Sequence, residues 1–578
     1  MSISEAPLIV GFFRGLVFDG EPLWLWQVVL VVTGVISVGV LYRIAAPRGR
    51  WARRVRSRLL LGVPWGTLIV LLFVFSVYLF VQGAYSGDIF DPRQPVTYAF
   101  TAWSYEYPLG VLTAAFSHSG FGHFFGNALG LIVFGSITEY AYSHFSLDRG
   151  SQTHRSAGEN PYVRLLGFVV AVLGIGVLTA AFAPGPIIGF SGVVYALAGF
   201  ALVYRPFTAL GGILVIDLLS RLYGAFTSPV GTFSPNVQYV GVWFADIAVL
   251  GHILGFAIGV LIAVTLLTRR DERVPPVRIW TALVLYGLLE GLWLAYLPLD
   301  NGRYVLLRAV GVAFIFLVAS VALVAATRSA RPAIPWPSRF SATLQDSVPS
   351  RGTVATGAIV FSLVFLATVG AATHLRTVDS TDLPNDPVKI RDYQVGYSEN
   401  VTNEIYTIVD VPGLRSDQVV QSSGVIVYSE ERNVWEVATS TSRLASNGYA
   451  RVVVGGVGWR ETVWVTRTGW SVVGGTETYR VRLHPPDGPA RLAFTSEPAT
   501  AEAVIANRSI SLQAAGTDFE ITVDKGNQTI GIGAIPEDGA NTTVGDIRFD
   551  RRGRNLYASY EGTLVRVANK KVPPTRRD

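Results

Sequence analysis

Ser191 stands in Gly189-Phe190-Ser191-Gly192 at the head of an apolar stretch, and His252 interrupts a later apolar run from Trp243 to Leu267. A polar side chain inside hydrocarbon is costly unless it finds a polar partner. Each of these residues suits the other. A serine hydroxyl is a weak nucleophile until an adjacent base takes its proton. The pair therefore implies acyl-transfer chemistry carried out within a membrane.

Three other groupings bear on that chemistry. The run His118-Ser-Gly-Phe-Gly-His123-Phe-Phe-Gly-Asn127 opens an apolar helix reaching Glu139. His123 and Asn127 are four apart and share one helix face. Both can donate hydrogen bonds, and donors fixed in a low-dielectric site are what a tetrahedral oxyanion requires. Interhelical hydrogen bonding is the structural alternative. Tyr195 falls four residues after Ser191, on the same face. A lone membrane serine can also bond back to the carbonyl four residues earlier. His252, Gly255 and Gly259 fall at i, i+3 and i+7, one stripe along which a second helix can approach closely. A lone histidine there could instead serve a proton relay or an ion site. His252 lies about ten residues into its run, roughly 15 Å by helical rise. The serine segment, 188–204, is short enough to start below the membrane surface, so the two depths can match.

The elements that must position these groups follow from composition. The chain has 578 residues, 50% hydrophobic and 15% charged, with a mean hydropathy of +0.40. Soluble domains carry about 25% charged residues, so much of the chain belongs in lipid. A span needs about 20 apolar residues. Candidate spans are 23–42, 59–82, 122–142, 162–183, 188–204, 207–226, 242–267, 279–298, 305–326 and 354–373. Asp217 and Arg221 inside one of them are spaced to pair. Glu290 and Arg308 fall on two of the later spans and are expected to pair or, for Arg308, to snorkel.

The absence of cysteine excludes disulfides, thiolate metal sites, cysteine nucleophiles and iron–sulfur clusters. No metal or cofactor is expected. The net charge of +6 reads as a topology signal and not a nucleic-acid footprint, because the arginines flank spans. Arg43, Arg48, Arg50, Arg53, Arg54, Arg56 and Arg58 place the first connection in the cytoplasm. Alternate crossings then put Arg269, Arg270, Arg273, Arg328, Arg331 and Arg339 inside as well. Ten spans leave both the N-terminus and residues 375–578 outside. The first span has no basic n-region before it and no cleavage site after it, so it reads as retained.

Residues 375–578 read differently. Short alternating runs, Ser423–Tyr428, Tyr449–Val454, Glu461–Thr466, Thr476–Leu483 and Phe519–Val523, predict a β-rich sandwich or barrel-like module. Sequons at Asn400, Asn507, Asn527 and Asn541 suit an exported face. No catalytic constellation is evident in this part.

Taken together, His118-x4-His123-x3-Asn127 with Glu139, Gly189-x-Ser191-Gly192-x2-Tyr195, and His252-x2-Gly255-x3-Gly259 resemble the rhomboid intramembrane serine proteases. The resemblance covers about residues 59–268. It implies a six-span core there; outside it, the apolar runs, arginine bias and strand alternation assign 1–58 to a further span and basic loop, 269–374 to three more spans, and 375–578 to a β-rich extracytoplasmic domain. It implies that Ser191 is the nucleophile and His252 the base, with no aspartate. It makes His123, Asn127 and the Ser191 N–H the oxyanion hole, and seats Tyr195 against His252. Gly255 and Gly259 would let the serine and histidine helices touch, and His118 and Glu139 would be structural hydrogen-bonders. The implied activity is cleavage of membrane-anchored proteins; the plasma membrane is the expected location, and the C-terminal domain, outside the resemblance, could recruit substrates, regulate access or bind the cell envelope. Many rhomboids carry Trp-Arg nine and eight residues before His118, where this chain has Leu109 and Gly110. Trp103, Tyr105 and Tyr107 nearby could still seat that loop at the interface. A non-cutting client-binding protein of the same fold, or a transporter, would be the alternatives.

Overall fold

The computed structural model describes residues 23–45, 49–84, 95–145, 157–227, 249–294, 296–298, 304–328, 331, 349–378, 383–402, 421–516 and 518–571. It divides into two compact units, one mainly helical and one built on residues 375–578.

In the helical unit six helices among the described residues are long and apolar enough to cross a membrane: Phe121–Tyr142, Pro161–Phe182, Pro206–Thr227, Val249–Arg269, Arg308–Ala326 and Arg351–His374. Shorter apolar helices are Trp24–Val40, Trp65–Val81, Ser191–Tyr204 and Pro276–Leu289. The chain is thus a multi-pass membrane protein.

Several boundaries depart from the sequence reading for local reasons. The second helix begins at Trp65 and not at 59, because Leu61 takes a left-handed conformation (φ 56°) and Pro64 stands just ahead of the helix. Its last turn, Val77–Val81, is a π-helix, as is Leu131–Gly135 within Phe121–Tyr142. The span expected at 279–298 stops at Leu289. Gly291 turns the chain at φ +71°, and the Leu292 N–H donates to the Gly287 carbonyl at 3.0 Å, a glycine-terminated helix end. The remainder forms a hairpin, Tyr296–Pro298 against Tyr304–Leu306. Of the run 242–267, residues 242–248 lie outside the described residues. The described helix starts at Val249, so His252 sits in its first turn.

A buried carboxylate ties the start of Trp65–Ser76 to the end of Phe121–Tyr142. Glu139 is fully buried and accepts from the Gly66 N–H at 2.7 Å, the Thr67 N–H at 2.8 Å and the Thr67 hydroxyl at 2.7 Å. Amides at a helix N-terminus lack intrahelical acceptors, and an anion there is favoured by the helix dipole. His144 completes the set. Its Nδ1 accepts from the Leu60 N–H at 3.0 Å, so its Nε2 carries the hydrogen that reaches Glu139 at 2.7 Å. At the same end, Arg270 donates to the carbonyls of Ala141 and Tyr142 at 2.7 and 2.8 Å and to the Tyr204 hydroxyl at 2.9 Å. It thereby satisfies carbonyls that a helix C-terminus leaves open.

The second unit is three antiparallel sheets. An eight-stranded sheet is centred on Trp459–Val472. That strand pairs with Tyr449–Gly456 along its first half, with Thr563–Lys571 along its last residues, and with Glu477–His484 on its other edge. Two four-stranded sheets accompany it, one running from Val388 to Ser440 and one from Ala499 to Ala534. Each of the latter shares a hydrophobic core with part of the long sheet: Tyr393, Tyr397, Val427, Val452, Val465 and Val481 in one, and Leu512, Ile521, Ile547, Phe549, Leu556 and Trp470 in the other. The alternating burial of Glu477–His484 and Asp518–Lys525 is the period-2 pattern that packing on one face demands. Residues 95–110 belong to this unit as well.

Candidate active site

Ser191 is the first residue of the helix Ser191–Tyr204. It follows a loop that includes Pro184 and Pro186, and Gly189 precedes it at φ +132°. That conformation disfavours a side chain. A Cβ there would also stand 2.5 Å from Cε1 and 2.7 Å from Nε2 of His123. Gly189 therefore lets the His123 ring lie against the backbone two residues before the serine. At the first position of a helix the N–H groups have no intrahelical acceptor, so the Ser191 amide is open to a ligand.

The helices Ser191–Tyr204 and Val249–Arg269 meet backbone to backbone. A Cβ on Gly255 would overlap the Gly192 carbonyl oxygen, and one on Gly259 would overlap that of Ala196. Gly199, on the serine helix, lies against the Phe256 carbonyl in the same way. Gly192 faces Thr179, whose Oγ1 would be 2.9 Å from an added Cβ. This closeness brings the Ser191 hydroxyl and His252 Nε2 to 2.7 Å. Tyr195 stacks on the imidazole, with ring centroids 4.2 Å apart and 8° between planes.

A family model described as "Rhomboid domain" matches residues 105–269. Residues 105–269 are a rhomboid domain. No curated protein and no solved structure matches it. The rhomboid match takes in all the residues singled out above, from His118 to Gly259.

In the helix Phe121–Gly130, Asn127 is buried and its amide nitrogen has no acceptor among the described residues. An unpaired buried donor is costly to retain. His123 Nδ1 lies 3.0 Å from the Ser119 hydroxyl, and Nε2 is the ring nitrogen nearer Gly189. His118 departs from the expected role. Its side chain makes no hydrogen bond among the described residues, and both ring nitrogens are buried. It is the His118 main chain that is bonded: its N–H donates to Gln82 Oε1 at 2.7 Å and its carbonyl accepts from Gln82 Nε2 at 2.9 Å. The imidazole packs edge-on against His123 and Phe124 instead.

Two residues to which the sequence assigned no part in the site also touch this region. Glu290, considered a partner of Arg308, interacts with the Tyr195 hydroxyl, as does Tyr286. The Tyr286 ring lies 6.4 Å from Tyr195 and stacks on Phe256 at 5.9 Å. A helix outside the matched rhomboid segment, Pro276–Leu289, thus backs the histidine's support. Only the depth of Glu290 in an apolar run hinted at such a role. Asp217 and Arg221 pair at 2.8 Å as their spacing predicts, and both are exposed. They take no part in the site.

Proposed function

We propose that the protein is an intramembrane serine endopeptidase that cuts membrane-anchored proteins within or near their transmembrane segments. The carrying observation is the 2.7 Å contact between Ser191 Oγ and His252 Nε2, under the Tyr195 ring. With Nε2 as acceptor, the imidazole is neutral and bears its hydrogen on Nδ1. The serine proton passes to Nε2 as Oγ bonds to the peptide carbonyl carbon. The carbonyl oxygen becomes an oxyanion, received by Asn127 Nδ2, the His123 ring and the Ser191 N–H. The imidazolium returns its proton to the departing amine. Water, deprotonated by the same imidazole, then attacks the acyl ester and releases the second product with Ser191 restored. No carboxylate contacts His252 in this scheme; Tyr195 orients the ring by stacking.

A well-formed substrate helix keeps its peptide carbonyls bonded. Helix-destabilising residues are therefore expected at the cleaved site. We place the protein in the plasma membrane with the β-rich unit outside. The exposure of Asn400, Asn507, Asn527 and Asn541 supports that side, as does the arginine bias of the connections.

The test is cleavage of a membrane-anchored reporter by the full chain in proteoliposomes. Ser191→Ala and His252→Ala should each abolish cleavage with melting temperature unchanged. Continued cleavage by Ser191→Ala would refute the assignment. A folded wild type that binds the reporter and never cuts it would mark an inactive, client-binding rhomboid relative.

A further inference from the structure

Four helices of the rhomboid segment enclose a groove of about 370 Å³, a volume typical of small-ligand sites (about 300–1,000 Å³). Pro161–Phe182 lends it Phe168 and Ala171, Ser191–Tyr204 lends Ala196 and Phe200, and Val249–Arg269 lends Gly259 and Ile262. Phe168, Ala196, Phe200 and Gly259 are buried, whereas Ala171 and Ile262 are exposed. The groove therefore has a packed floor and opens sideways. In a membrane protein such an opening faces acyl chains, and its apolar walls give water nothing to bond. The helix Arg351–His374 does not cover it. That helix meets the far end of Pro161–Phe182, where Gly370 abuts the Phe182 carbonyl, and none of its residues lines the groove.

Polar side chains stand at the other end. Ile262, Thr265 and Arg269 line the groove at i, i+3 and i+7, one helix stripe. It passes from apolar to basic at the last residue of Val249–Arg269. Tyr142, the last residue of Phe121–Tyr142, lines the same end. Thr138, one turn earlier, is already engaged: its hydroxyl donates to the Leu197 carbonyl at 3.4 Å.

Arg269 is exposed, and among the described residues its guanidinium makes no hydrogen bond or ion pair. The two acids nearby in sequence are engaged elsewhere, Asp271 with Arg328 at 3.1 Å and Glu272 with the Tyr204 hydroxyl at 2.6 Å. Arg270 is committed to the carbonyls of Ala141 and Tyr142. Arg164 lies over the Tyr142 ring, 4.7 Å from its centroid, and adds a second positive charge at this end. The groove thus offers an apolar trench to a hydrocarbon chain, and an unpaired positive charge where that chain meets its headgroup. Arginine bias assigns this end to the cytoplasm, and the cytoplasmic leaflet carries the anionic lipids.

We infer that the groove binds one anionic phospholipid, with an acyl chain along Phe168, Ala171, Phe200 and Ile262 and the phosphate on Arg269. Ala196 and Gly259 are also a pair at which the serine and histidine helices touch. A lipid seated across them stabilises that pairing, because a ligand that binds only the folded state raises its stability. The site stands whether or not Ser191 is a nucleophile.

The experiment adds phosphatidylglycerol or phosphatidylcholine, with the same acyl chains, to the full chain in detergent micelles. It reads the lipid retained in native mass spectra and the melting temperature. The wild type should retain phosphatidylglycerol about fivefold better than phosphatidylcholine, the worth of one arginine at an anionic surface, and should melt higher with it. Arg269→Gln, at an exposed position, should lose that preference, and Arg269→Lys, which keeps the charge, should hold most of it. Gly167→Leu should lose the retained lipid by filling the groove. A Cβ at Gly167 meets only the Tyr142 hydroxyl, at 3.6 Å, and leucine favours a helix over glycine, so the lipid-free melting temperature should not fall. Equal retention of the two lipids by the wild type would overturn the inference, as would a preference that survives both Arg269→Gln and Gly167→Leu. Dimers that Gly167→Leu abolishes while lipid retention is unchanged would assign the groove to a second copy of the chain and overturn it too.

Discussion

The Tyr195 ring lies flat on the His252 imidazole, 4.2 Å between centroids and 8° from parallel. Among the described residues no carboxylate is bonded to this imidazole, and a stacked ring restricts its rotation and holds its Nε2 toward the serine. Stacked aromatic pairs contribute about 0.5–1.5 kcal/mol beyond buried area. Tyr195→Ala should therefore lower kcat by about two- to tenfold, with reporter KM little moved. Tyr195→Phe keeps the stack and should retain most of the rate. A Phe variant as slow as Ala would shift the weight to the hydroxyl and its contact with Glu290, which Glu290→Gln would then reproduce.

Asn127 presents a buried amide with no acceptor among the described residues. If that donor is reserved for the oxyanion, Asn127→Ala should raise the barrier by about 2.7–4 kcal/mol. The loss should fall on kcat, because a ground-state carbonyl does not occupy the oxyanion position. Steady-state kinetics on the reporter decide it. An Asn127→Ala enzyme with unchanged kcat would make the residue a packing element.

Gly255 and Gly259 face carbonyl oxygens of the serine helix with no space for a methyl group. Either substitution to alanine must push the two helices apart. Overpacking costs about 1–3 kcal/mol, and separation would also lengthen the Ser191–His252 contact. Thermal melting should fall in both variants. Labelling of the remaining folded fraction should drop more for Gly255→Ala, whose contact, Gly192, adjoins Ser191. Equal losses in stability with unimpaired labelling would show that the dyad tolerates the shift.

Glu139 has a different task. Replacing it with alanine strands the amides of Gly66 and Thr67, the Thr67 hydroxyl and His144 Nε2 in a buried site. Each orphaned buried group costs about 1–3 kcal/mol. Glu139→Ala should thus reduce the folded population sharply, read by melting temperature, while the folded fraction labels at the wild-type rate. A normal melting temperature with slow labelling would point to a direct part in the chemistry.

Much of this site was legible because the polar residues stood out against hydrocarbon. Ser191, His252 and the glycines at Gly255 and Gly259 have few reasons to occur in long apolar runs, and their helical spacing places them on shared faces. Strand alternation exposed the β-rich unit equally well, as the register of Glu477–His484 shows. Three things were not legible. Arg270 and His144 look in sequence like a topology charge and a loop histidine, yet both satisfy main-chain or carboxylate groups whose positions depend on how helices end. The stop at Gly291 was hidden because the apolar run continues past it to Pro298, while the backbone turns. Residues 95–107 carry aromatic side chains that suit a membrane interface as readily as a protein core. Only the long-range pairing of Tyr107 with Arg432, 325 positions apart, distinguishes the two.

The central claim is that the Ser191 hydroxyl is activated by His252. Fluorophosphonate treatment of the full chain followed by peptide mass mapping tests it most directly. The expected result is one adduct, on Ser191, in the wild type, with none in His252→Ala although that variant keeps its serine and its fold. An adduct on Ser191 forming at the same rate without His252, or no adduct in a folded wild type, would contradict it.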